Sequence, residues 1–135
     1  MASTRRQCRE RLVVLFDADA TFTTVYGYAP LDLRGTTNVL AVFNDETEHN
    51  FLSADDNHAF YRFFVETYAT REGGENPEDA LDDMHEAVRT IIRDNVSDST
   101  WEHAIFSEES NTYFGKVAGV PYRIERHIVE IKTRP

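Results

Sequence analysis

The sequence predicts an α+β fold: a single domain over residues 1–135, with a mostly antiparallel sheet packed against a long amphipathic helix and an N-terminal helix. Three observations predict it. A proline-started amphipathic run extends from about Asn76 to Val96, and a lone Trp101 follows it. The ending Gly119 to Lys132 is extended in pattern, and β-branched and aromatic stretches precede the helix. At 135 residues such a domain buries roughly two thirds of its unfolded surface, so it needs no disulfide or metal to hold it together.

The long helix is written in several local signals at once. Asn76 is placed to accept a hydrogen bond from the Asp79 amide, and Pro77 occupies the first helical position, where a missing N–H costs nothing. Ala80, Leu81, Met84, Val88, Ile91 and Ile92 recur at steps of three and four and form one stripe. Asp79, Asp82, Asp83, Glu86, Arg89 and Arg93 fall mostly on the other side, with acids in the first turns and arginines in the last, as the helix dipole favours. Burying the five largest members of the stripe contributes roughly 10 kcal/mol gross, at about 1.5–3 per side chain, an upper value because unfolded chains are partly compact.

Ahead of it, Cys8, Leu12, Leu15 and Phe16 predict a short amphipathic helix over Arg5 to Ala18, although Val13 and Val14 also suit a strand. Thr21 to Tyr28 is strand-like, Ala29-Pro30-Leu31-Asp32-Leu33-Arg34-Gly35 brings turn chemistry, and Thr37 to Asn44 resumes as a strand. The interruption makes residues 21–36 a mobile arm. Asn44 to Thr47 and Ser53 to Asn57 are polar loops. Phe60 to Thr70 reads as a strand with helix as the competitor, since Phe63-Phe64-Val65 fits neither period. Arg71 to Glu75 breaks the chain. Beyond the long helix, Trp101 to Phe106 reads as a strand, Ser107 to Thr112 as a polar loop and Pro121 to Thr133 as the closing strand of a hairpin. Tyr122 and Ile124 share one phase and Val129 and Ile131 the other, which requires a bulge or burial on both faces.

Charge narrows the partners. The net charge is −10, yet residues 1–16 and 122–135 are net basic, so the body between them is strongly acidic. Such a body repels phosphate backbones and disfavours tight nucleic-acid binding. The single Cys8 has no partner for an internal disulfide. No apolar run approaches eighteen residues, and Leu12 to Phe16 is too short for a signal peptide core, so the expectation is a soluble cytosolic protein without membrane partners.

Catalytic, metal and cofactor signatures are not evident in the sequence. His49, His58, His85, His103 and His127 are scattered without the paired spacing of a helical or hairpin metal site, so surface or hydrogen-bonded histidines are expected. The pairs Asp17/Asp19, Asp55/Asp56 and Asp82/Asp83 lie outside any calcium-loop pattern and read as solvated acids. Arginines around Cys8 would activate its thiol, but its place on the helical stripe reads as packing. Gly73-Gly74 and Gly115 to Gly119 lack the spacing of phosphate loops and read as turns. With no catalytic residue, metal ligand or cofactor site to name, the expectation is a non-enzyme. Tyr26, Tyr28, Leu31 and Leu33 in the turn-rich segment, and Tyr113 with Phe114 beside the last loop, are the candidate interface residues.

The order of elements, with the leading helix, the Ala29 to Gly35 turn entering Thr37 to Asn44, the helix from Asn76, Trp101 and the closing Gly119-Val120-Pro121-Tyr122-Arg123-Ile124-Glu125, resembles tail-terminator and tail-completion proteins of long-tailed bacteriophages. The resemblance implies a virion protein of the tail or neck, present in the host cytoplasm during assembly. Its subunits would form a homo-hexameric ring that caps the tail tube protein, meets a neck or connector protein and lets DNA pass without specific binding. An acidic lumen would repel that DNA. The alternative within the same machine is a head-to-tail connector or neck adaptor. Outside it stand a small α+β enzyme and an acidic inhibitor that mimics DNA.

Overall fold

The computed structural model describes residues 3–45, 51–52, 58–70, 76–107 and 110–135. In chain order these form α1 (Arg5–Asp17), β1 (Thr24–Tyr26), β2 (Val39–Asn44), β3 (Phe51–Leu52), β4 (Ala59–Ala69), α2 (Pro77–Asp94), β5 (His103–Phe106), β6 (Asn111–Val117) and β7 (Val120–Lys132). The fold is α+β. Its seven-stranded sheet runs β1-β2-β4-β7-β5, with β3 also on β4 and β6 also on β7, and among the described residues only the β1–β2 pair is parallel.

Both helices are started by side chains. Thr4 and Gln7 form a reciprocal capping box at α1, each side chain bonded to the other's backbone N–H. At α2 the Asn76 side-chain oxygen accepts from the Glu78 N–H rather than the expected Asp79, with Pro77 in the first turn. Cys8, Leu12 and Phe16 of α1 and Ala80, Leu81, Met84, Val88 and Ile92 of α2 are buried. They pack on one face of the sheet against Leu40, Val42, Phe63, Val65, Val129 and Ile131. Trp101 is fully buried beside them and donates its indole N–H to the Asn95 carbonyl at 2.9 Å.

The two long strands set the frame. β4 and β7 pair without a break from Phe60↔Lys132 to Ala69↔Arg123. The phase change anticipated in the closing strand is therefore burial on both faces and not a bulge. Val129 and Ile131 face the helices, whereas Tyr122 and Ile124 join Leu33, Val39, Ala41 and Tyr68 in a second apolar cluster. The strand reading of Phe60 to Thr70 holds, and the helical alternative is excluded.

Several expectations change. Residues 21–36 are anchored, because β1 lies in the sheet and Leu33 is buried in the second cluster. A parallel neighbour needs a crossover, and the segment between β1 and β2 supplies it. Residues 111–117, read partly as loop and partly as turn, form β6. Gly115 stands opposite Tyr122 inside that strand, where a Cβ would come within 2.8 Å of the Ile124 side chain. The actual turn is Ala118-Gly119, both left-handed at φ 51° and 81°, the pair of positive angles that a two-residue hairpin link demands. Most of the expected loops at 44–47 and 53–57, and all of Arg71 to Glu75, lie outside the described residues.

Candidate functional site

The sheet ends differently on its two sides. On one side β1 is the last strand, and the β1–β2 connection leaves Leu31 91% and Tyr28 61% exposed. On the other side lies β6, paired only with β7 among the described residues, with Phe114 76% exposed. The Arg123 guanidinium stacks 4.3 Å from the centre of the Phe114 ring. Phe114 also borders a groove of about 600 Å³ with Ala69, Pro77, Pro121 and Tyr122. Of the six candidate interface residues, Tyr28, Leu31 and Phe114 are thus presented to solvent. Tyr113 is partly so. Leu33 is not available, being 1% exposed in the second cluster, and Tyr26 packs half-buried against that cluster.

Behind β6, on the face away from the helices, Glu66 gathers three donors. Tyr68 Oη donates to Oε1 at 2.8 Å, while Tyr113 Oη at 2.5 Å and Arg126 Nε at 2.9 Å both donate to Oε2. The Arg126 guanidinium in turn lies 4.2 Å from the centre of the Phe64 ring. Burial and the Glu66 carboxylate push the Tyr113 phenol up to about 12, and they raise Tyr68 as well. Every group is partnered, so this is a structural polar cluster that fixes β6 to the centre of the sheet.

The sequence matches no family model and no curated protein.

On the helix face the structure joins three residues that sequence spacing kept apart. Glu125 and His127 are two apart on β7 and so point to the same side, and His85 comes down from α2. Glu125 Oε1 is 3.2 Å from His127 Nε2 and 3.4 Å from His85 Nδ1. His127 is fully buried; its Nε2 meets Glu125 Oε1 as an ion-pair contact without well-aligned hydrogen-bond geometry, and its Nδ1 has no hydrogen-bond partner among the described residues. His85 Nδ1 likewise approaches Glu125 Oε1 without an aligned hydrogen bond. Burial pushes the Glu125 carboxyl up, but His127, His85 and the Ser110 hydroxyl outweigh it and hold the group below its ordinary value. Spacing alone predicts surface or hydrogen-bonded histidines; the structure instead gathers His85 and His127 around one carboxylate. The signal available in the sequence was Glu-x-His in the phase of Val129 and Ile131; the third member depends on helix docking, which no local pattern encodes.

No helix among the described residues is long and apolar enough to cross a membrane.

Proposed function

We propose that this chain is a virion structural subunit of the tail-terminator kind, which closes into a ring with copies of itself, caps a tail tube and joins it to the neck. The observation that carries this is the pair of open, unlike sheet sides: Leu31 and Tyr28 by β1, Phe114 and its groove by β6. Two different patches on opposite sides of one subunit make a head-to-tail contact, and head-to-tail contacts close into rings when the rotation per subunit divides a full turn. The groove beside Phe114 has an apolar wall of Ala69, Pro77, Pro121 and Tyr122, which suits an exposed apolar side chain such as Leu31 from a neighbouring copy. A net charge of −10 per copy would keep DNA from adhering to the ring as it passes.

Light scattering and negative-stain imaging of the purified protein, alone and with tail tubes, test the proposal. Rings that cap tube ends are expected; a monomer at high concentration that leaves tubes uncapped would refute it. A neck adaptor, the neighbouring assignment, would bind the capsid portal in preference to the tube. One observation favours an enzyme instead: the cluster of His85, Glu125 and His127 adjoins a groove of about 510 Å³ between α2 and β5. Turnover of a small molecule lost on replacing Glu125 would support that reading.

A further inference from the structure

We infer that His85, Glu125 and His127 form a binding site for a zinc-class divalent cation that clamps α2 to β7. Two imidazole nitrogens and one carboxylate oxygen are a donor set that suits zinc, with a fourth position left for water. The three donors lie within 4.8 Å of one another. Around zinc, ligand bonds of about 2.1 Å give a tetrahedral edge of about 3.4 Å. The separations of 3.2 and 3.4 Å from Glu125 Oε1 to the two imidazole nitrogens fit that edge.

A second observation is alignment: the buried atoms His127 Nε2 and His85 Nδ1 lie 3.2 and 3.4 Å from Glu125 Oε1, yet neither contact has hydrogen-bond geometry. Buried groups of this kind are rare, and a bound ion is one of the few arrangements that satisfies them. Two neutral imidazoles could instead donate from His127 Nε2 and His85 Nδ1 to the one oxygen Oε1, but neither N–H is aligned for it. A cation satisfies His127 Nε2, His85 Nδ1 and Glu125 Oε1 together. His127 Nδ1 would remain without an acceptor among the described residues, lying in a ring packed against Phe106 at 5.4 Å between centres.

The surroundings pre-position the donors. Glu125 Oε2 accepts from Ser110 Oγ at 3.3 Å and Thr112 Oγ1 at 3.4 Å, which turns Oε1 toward the imidazoles. The Phe106 ring also lies 5.7 Å from that of His85. Further along the same pair of elements, Arg123 Nε donates to Glu78 Oε1 at 2.6 Å. Glu78 and His85 are two helical turns apart, and Arg123 and the Glu125–His127 pair are separated by a matching length of strand, so this bridge sets the helix in the register the site needs. The groove between α2 and β5, lined by His85 and Phe106, gives the cation a route from solvent.

The test begins with the full chain stripped by chelator dialysis and titrated with zinc chloride by calorimetry, with cobalt chloride as a visible probe of geometry. One zinc per chain, a melting temperature that rises with zinc, and an intense tetrahedral cobalt spectrum are expected. His85→Gln, on the half-buried side of α2, should weaken zinc binding by more than the roughly 100-fold lost when only an outer-shell partner is removed. His103→Gln, a groove residue outside the donor set, should leave it unchanged. Absence of stoichiometric binding, a weak octahedral cobalt spectrum, or equal affinity in His85→Gln and the parent chain would each overturn the site. The cobalt spectrum of the parent chain decides the matter even if a variant fails to fold. None of these readouts depends on ring formation.

Discussion

Glu66 and Asp98 show how single carboxylates tie distant parts of this chain together. Glu66 is nearly buried, and Arg126 supplies its only cationic contact in the polar cluster. Arg126 is part-exposed and two tyrosines still donate to Glu66, so Arg126→Met should destabilise the fold by about 2 kcal/mol in urea titration, the cost of one hydrogen bond to a charged group, while the new side chain can still cover Phe64. Asp98 sits in the loop after α2 and accepts both Arg11 Nε at 3.1 Å and Arg11 Nη2 at 3.0 Å, plus the Thr100 N–H at 3.0 Å. The Arg11 hydrogen bond, only partly opposed by burial, holds the Asp98 carboxyl below its ordinary value. A carboxyl depressed in the folded state stabilises fully above its unfolded value of about 3.9 and loses that contribution as pH falls through the folded value. Asp98→Asn should therefore cost about 2 kcal/mol at neutral pH, and the difference from the parent should shrink below about pH 4. A gap that stayed constant down to pH 2 would rule out this origin. Cys8 behaves as packing alone, its thiol pushed up to about 11 by burial.

Among the elements, the β6–β7 hairpin depends most plainly on backbone geometry. Gly119 has a φ of 81°, and an added Cβ would meet nothing within 4 Å, so Gly119→Ala isolates the backbone term and should destabilise by about 1 kcal/mol. Ala118→Gly, at φ 51°, should shift thermal unfolding the other way or leave it level. α2 is legible in the sequence because cap, proline, stripe and charge bias coincide in one stretch. β4 and β7 are legible from β-rich composition, and their length betrays that both faces are covered. β6 is not, because Asn111 to Phe114 are all exposed and give no alternation; only pairing with β7 makes them a strand. β1 is three residues long, too short to carry a period. Leu33 resembles loop surface in the sequence because burial under a crossover is a property of the path and not of the neighbouring residues. Glu125 and His127 are visible as a pair of same-face polar residues, but His85 is forty residues earlier and reaches them only through docking of α2.

At the scale of the whole molecule, the proposed ring makes its own demand. Leu31→Asp and Phe114→Asp alter opposite sides of the sheet at exposed positions; the first should leave unfolding within about 0.5 kcal/mol of the parent, the second should cost about 1 kcal/mol through lost stacking on Arg123, and each should abolish rings in light scattering. Because a head-to-tail contact uses one patch from each copy, an equimolar mixture of the two variants still offers intact Leu31 facing intact Phe114. Paired particles are expected from the mixture, and none from either variant alone. Recovery of full rings by each variant separately would exclude these patches as the contact.

The last strand in chain order is also the one on which three others depend, since β4, β5 and β6 all bond to β7. During synthesis the ribosome releases both helices and six strands before the partner that joins them exists, so the complete sheet cannot close around β4 alone. Folding must wait for that strand and then proceed as one event dominated by distant contacts, which is intrinsically slow. Until then the side that carries Phe114 has no fixed shape. A chain interrupted before β7 should therefore leave β5 and β6 without the strand they bond to, and the proposed ring would have to wait for the same event.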